Sequence, residues 1–138
     1  MMFIFDANVV SELRRPEKAN GRVRRFAAAT LVANTFLSAI TVLGLECVGL
    51  KIDRRDKAQG KTLRQRIDGQ ILPRYEGRIL AIDAAVARIC AGLNIPNPRA
   101  ERDAFIAATA LVLGMTAATR NTGDFEGTGA RVFNPWEA

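Results

Sequence analysis

The sequence predicts an α/β fold, a central parallel sheet of about five strands flanked by helices on both faces. Three observations carry this. Short, largely apolar runs such as Phe3-Ile4-Phe5 and Thr35-Phe36-Leu37-Ser38-Ala39 suit strands buried on both sides. Longer stretches with apolar residues at helical spacing lie between them, so strands and helices alternate along the chain. The first run also ends on a carboxylate, Asp6, at the carboxyl end of a strand, where function collects in such sheets.

Each element follows in order. Phe3-Ile4-Phe5 is an interior strand. Asn8 or Ser11 begins the next helix, which stops near Arg14-Arg15-Pro16. Residues 17–33 place Val23, Phe26, Ala27 and Leu31 at helical spacing. Residues 35–39 form a second strand, and Thr41 caps a helix running through Val42, Leu45 and Val48 towards Ile52. Residues 51–70 are charged and helical, with Leu63, Ile67 and Ile71 on one face. Residues 78–82 form a third strand, after which Asp83 caps a helix through Ile89 to Leu93.

Residues 94–98 are a loop, and Arg99 or Ala100 opens a long helix that Gly114 closes. Its spacing predicts that Ile106, Ala107, Ala110 and Leu113 are buried. Residues 115–119 and 131–133 complete the sheet. No repeat or linker interrupts the chain, so residues 1–138 are expected to be a single domain.

Composition narrows the chemistry. The 138 residues are 49% hydrophobic and 25% charged, enough for a sizeable core in an ordinary soluble protein. The absence of histidine excludes Ser-His-Asp and Cys-His catalysis and every imidazole zinc site. Cys47 and Cys90 are too few for an all-thiolate zinc site and read as two buried, reduced thiols. Asp6 interrupts the apolar N-terminus too early for a signal peptide, and residues 104–119 are too diluted for a membrane span. A cytoplasmic protein with no membrane partner is expected. Gln59-Gly60-Lys61-Thr62 lacks the earlier glycine of a phosphate loop, since Arg55 stands there, and no strand precedes it.

Catalysis must then rest on carboxylates. Asp6, Asp103 and Asp124 are the candidates, with Glu12, Glu46 and Glu101 as possible additions. Each has an ordinary alternative: Asp6 as a helix cap, Asp103 at a helix dipole, Asp124 in a turn. Together, at strand ends and a helix start, they suggest a site for Mg2+ or Mn2+, which hard oxygen ligands select. The net charge is +6, with basic residues concentrated at Arg14-Arg15, at Arg22, Arg24 and Arg25, and from Lys51 to Arg66. Such a face is either simply solvated or binds RNA or an acidic partner.

Phe3-Ile-Phe-Asp6-Ala-Asn8-Val-Val-Ser-Glu-Leu-Arg-Arg-Pro resembles the opening of PIN-domain proteins, in particular VapC-type toxins of the FitB-like branch. The resemblance continues at Phe36-Leu-Ser-Ala-Ile-Thr41-Val, at Ile71-Leu-Pro and at Gly77-Arg-Ile-Leu. It returns at Asp103-Ala-Phe-Ile-Ala-Ala-Thr-Ala, Thr119-Arg-Asn121-Thr-Gly-Asp124-Phe125 and Asn134-Pro135-Trp136.

It implies a PIN-like fold and a Mg2+- or Mn2+-dependent endoribonuclease, the toxin of a type II toxin–antitoxin pair. It further implies a homodimer silenced by a VapB-type antitoxin. By resemblance Asp6 and Asp103 are metal ligands, while Asn121 and Asp124 shape the same catalytic pocket. Two positions depart from the pattern. Ala7 replaces a threonine, and Gly44 stands where a glutamate is expected. The second departure keeps an alternative open, a PIN module that binds antitoxin or RNA without efficient cleavage. Gly44→Glu would then restore cleavage, unless Glu46 or water already compensates.

Overall fold

The computed structural model describes residues 1–138. At its centre lies a sheet in the order β3-β2-β1-β4-β5. Its strands are β1 Phe3–Phe5, β2 Thr35–Ser38, β3 Ile79–Leu80, β4 Thr116–Ala118 and β5 Arg131–Phe133. Every pairing is parallel. β1 is interior, between β2 and β4, as its wholly apolar sequence predicts. Phe5 pairs with Ala118, so the next residues, Asp6 and Thr119, emerge side by side at the same sheet edge.

Alternation along β1 divides the core into two. Phe3 and Phe5 pack with Val9, Val10, Leu37, Leu45, Ile67 and Ile71 on one face. Ile4 packs with Ile106, Ala107, Ala110 and Met115 on the other. The helices that supply these layers are α1 Ala7–Leu13, α2 Gly21–Ala29, α3 Ala39–Arg55, α4 Lys57–Arg66, the single turn α5 Leu72–Arg74, α6 Ala84–Leu93 and α7 Glu101–Leu113. A π-helical turn, Ile67–Ile71, continues α4 and carries both isoleucines into the core. No helix is long and apolar enough to cross a membrane.

Capping side chains set several boundaries differently from the spacing alone. α1 begins at Ala7, because Asp6 is itself the cap: its Oδ1 accepts from the Ala7 N–H at 2.7 Å. Residues 17–33 are not one helix. Asn20 caps a fresh start by accepting from the Arg22 N–H at 2.9 Å, and Thr30 turns extended, which leaves Leu31 71% exposed.

α3 begins at Ala39 and not after Thr41, since the Ser38 hydroxyl accepts from the Ile40 N–H at 3.1 Å. Thr41 lies inside that helix, its buried hydroxyl without a partner. Asp56 leaves the helical region (φ −148°, ψ 103°) and caps α4, splitting residues 51–70. β3 is shorter than residues 78–82, because β2 ends at Ser38 opposite Leu80 and nothing pairs further on.

Asp83 caps α6 as expected, accepting from the Val86 N–H at 3.0 Å. Gly114 closes α7 at φ 67°, a left-handed conformation that favours glycine. Ile106, Ala107 and Ala110 are buried, but Leu113 is 44% exposed. Leu111 and Val112 are exposed with it, so the last turn of α7 presents apolar side chains to solvent. Cys90 is buried and Cys47 only half-buried, at the margin of the inward face of α3; both are free thiols. Gly60 has a packing role. It sits where α4 crosses α3, and a Cβ there would lie 2.4 Å from the Asp53 Cα.

Candidate active site

Asp6 projects from the end of β1 and is 7% exposed. Its Oδ1 is held by the cap to Ala7. Its Oδ2 accepts from the Thr119 hydroxyl at 2.7 Å and from the Asn8 side-chain amide at 3.4 Å. Asn8 in turn accepts from the Arg120 N–H at 3.3 Å. The Thr119 oxygen accepts from the Asn121 N–H at 3.0 Å. One buried carboxylate is therefore fixed by groups from α1 and the segment after β4, and such mutually satisfied networks are stiff.

Asp103 enters from the first turn of α7, half-buried. Its carboxyl is pushed up to about 6, chiefly by burial, then by the charges of Asp6 and Asp124. Hydrogen bonding with Asp124, which lies in the 3-10 turn Thr122–Phe125, raises it further. The three carboxylates thus sense one another, although no three acidic or thiol side chains close onto one ion-sized point. Asp6, Asp103 and Asn121 line a single open cleft of about 660 Å³ with Asn8, Leu43 and Arg102. Asp124 does not line it and reaches Asp103 from the margin.

Three residues that shape this site carry no special weight in the sequence. Thr119 and Asn8 look like ordinary polar positions, yet they hold Asp6. The parallel pairing of β1 with β4 is the signal that would have found Thr119. Arg102 looks like one more basic residue, yet its guanidinium lies over Gly44, with Nη1 2.9 Å from where a Cβ would stand.

Glu46 does not join the site. Arg64 binds both of its oxygens, at 2.5 and 2.8 Å. That hydrogen bonding holds the Glu46 carboxyl below the usual carboxylate range. Compensation for Gly44 by Glu46 is therefore not what the fold provides. The basic residues divide similarly. Arg14, Arg24 and Arg74 rim a separate cavity of about 370 Å³ floored by Val10, Leu13 and Tyr75. Burial, with Arg15 and Arg66 nearby, lowers the pKa of Arg14.

The PIN-domain family model matches residues 3–130. The chain belongs to the PIN-domain family. This PIN domain is 38% identical to plasmid stability protein StbB of Pseudomonas syringae pv. tomato, over 99% of the chain and 100% of the relative. It is 38% identical to Toxin FitB of Neisseria gonorrhoeae, over 98% of the chain and 99% of the relative. It is 35% identical to VapC ribonuclease Y4jK of Sinorhizobium fredii, over 99% of each. Among solved structures, FitAcB from Neisseria gonorrhoeae superposes with a TM-score of 0.87 at 36% identity, covering 99% of this chain and 100% of that one. The PIN-like fold and the FitB-like resemblance expected from the motifs are thereby met.

PIN-domain nucleases generally use divalent metals. The donor chemistry suits a hard cation: this PIN domain offers carboxylate and amide oxygens at the cleft and no sulfur or imidazole.

Proposed function

We propose that this chain, acting as one PIN-like domain over residues 1–138, is a Mg2+- or Mn2+-dependent endoribonuclease toxin of a type II toxin–antitoxin pair. The observation that carries this reading is the meeting of Asp6 and Asp103 in one cleft at the carboxyl edge of a parallel sheet, with Asp124 at its margin. Asp6 and Asp103 hold the ion, Asp124 adds to it directly or through water, and Asn121 shapes the pocket. An ion held there would supply the activation of a water and the stabilisation of the leaving oxygen. Thr119 and Asn8 keep the Asp6 carboxylate aimed. RNA is the substrate, so the cytoplasm is the place of action.

A VapB-type antitoxin, expected to place an acidic or amphipathic segment in a groove near the metal site, finds in the separate cavity rimmed by Arg14, Arg24 and Arg74 an apolar floor and cationic edge that suit such a peptide. The toxin acts as a homodimer. Incubation of the purified protein with RNA and Mn2+ tests the catalytic core of the reading. Cleavage abolished by chelator and by Asp6→Asn supports it; no cleavage with either ion overturns it.

Gly44 favours a second reading, a PIN module that binds RNA or antitoxin with little cleavage. The α3 position expected to carry an acid has none, and Glu46 is held elsewhere by Arg64. Under that reading Gly44→Glu raises kcat at saturating RNA, whereas an equal kcat in both proteins rejects it.

A further inference from the structure

We propose that Arg102 is a substrate-binding residue whose guanidinium takes a phosphodiester of the RNA, and that Gly44 is the space built for it. The proposal rests on the ribonuclease reading above and extends it to a contact with the substrate.

The argument begins at Gly44, which is buried within α3. Glycine is unfavourable inside a helix, and here its φ is not in the left-handed region. Backbone conformation therefore does not call for it. Its nearest neighbours outside α3 come from the opposite helix. The three atoms nearest a Cβ built at Gly44 all belong to Arg102: Nη1 at 2.9 Å, Cζ at 3.4 Å and Nε at 3.8 Å. A Cβ at position 44 would require the tip of this flexible side chain to shift.

The guanidinium has no internal reason to be there. None of the three salt bridges of the chain includes it, and it donates no hydrogen bond to another group. Arg64, by contrast, is satisfied by Glu46 and Asp68. Arg102 is thus an unpaired cation, seated by shape against the backbone of α3, on the wall of the cleft that Asp6 and Asp103 also line. A planar fork of N–H donors is matched by the paired oxygens of a phosphodiester or a carboxylate. The setting favours the phosphodiester. RNA presents phosphates in series, so one reaches the carboxylate side of the cleft while its neighbour meets Arg102.

Binding in chelator tests this without any contribution from cleavage. The affinity of a fluorescently labelled single-stranded RNA is measured by anisotropy in EDTA over a range of salt. Arg102→Gln is expected to weaken binding about tenfold. It should also reduce the slope of log affinity against log salt by about 0.7, the value for one phosphate contact on a single strand. Arg102→Lys should keep the slope but recover only part of the affinity, because the fork is lost. Gly44→Glu should weaken binding as well, by displacing the guanidinium and pairing with it. Thermal melts of each variant report folding, and Arg102 is exposed enough for its variants to fold.

Unchanged affinity and slope in Arg102→Gln overturn the proposal, as does a wild-type protein that does not bind the RNA. A loss confined to a poly-glutamate peptide, with RNA binding intact, assigns Arg102 to an acidic protein partner and overturns it equally. Arg102-dependent RNA binding without Mn2+-dependent cleavage upholds the proposal while rejecting the ribonuclease reading. Cleavage with Arg102-independent binding does the reverse.

Discussion

Arg64 grips Glu46 by both carboxylate oxygens, at 2.5 and 2.8 Å, and turns the same guanidinium to Asp68 at 2.8 and 2.9 Å. Glu46 lies about 200° round α3 from Gly44, so it faces α4 while Gly44 faces α7. Glu46→Gln is therefore expected to leave RNA cleavage unchanged and to lower stability by about 0.2–1 kcal/mol, the range for ion pairs that water still reaches. The Glu46 carboxyl is held low by Arg64, so this contribution is present at neutral pH and lost as pH falls through the carboxylate range. Urea midpoints at neutral and acidic pH, read beside a cleavage assay, check both halves.

Asp103 has the opposite sign. Burial and the neighbouring Asp6 and Asp124 raise its carboxyl to about 6, above its unfolded value. The folded protein then binds the proton more tightly than the unfolded chain, and ionising Asp103 costs stability. The metal-free protein should lose stability as pH rises from about 4 to above 6. Asp103→Asn should flatten that slope. Thermal midpoints in EDTA across this range measure it; a slope identical in the variant would show that Asp103 is not its source.

Calorimetric titration with Mn2+ reads the metal role of Asp6. Asp6→Asn should abolish measurable binding. Thr119→Val removes only the hydroxyl that donates to Asp6 at 2.7 Å, and should weaken binding about tenfold, as loss of a group that orients a ligand does. Equal affinity in wild type and Asp6→Asn would remove Asp6 from the metal site.

Gly60→Ala tests the crossing of α3 and α4. Alanine favours a helix by about 1 kcal/mol over glycine. Here its Cβ would meet the Asp53 Cα at 2.4 Å, a backbone atom that cannot swing aside. A net loss of about 1–3 kcal/mol is expected, with RNA cleavage retained. A variant more stable than wild type in urea would show that the helices separate freely.

Most of the elements and their order are legible in the sequence, because their signals are local. Phe3–Phe5 is an uninterrupted apolar run, Asp83 caps its own helix, and Gly114 supplies the φ of 67° that ends α7. The sequence also singled out Asp6, Asp103 and Asp124, since a chain without histidine leaves few groups for the chemistry. Boundaries were less legible wherever two residues compete to cap, as at Ser38 and Thr41, because the winner depends on where the strand releases the backbone.

Which side chains meet follows from how the elements pack. Thr119 reaches Asp6 because parallel β1 and β4 end in register. Arg64 reaches Glu46 because α4 folds back along α3. Arg102 covers Gly44 because the start of α7 packs against α3. The capping and hydrophobic spacing that define an element act over one or two turns of chain. The partners of Asp6, Glu46 and Gly44 come from other elements, brought close by strand register and helix crossing, and local spacing carries no record of them.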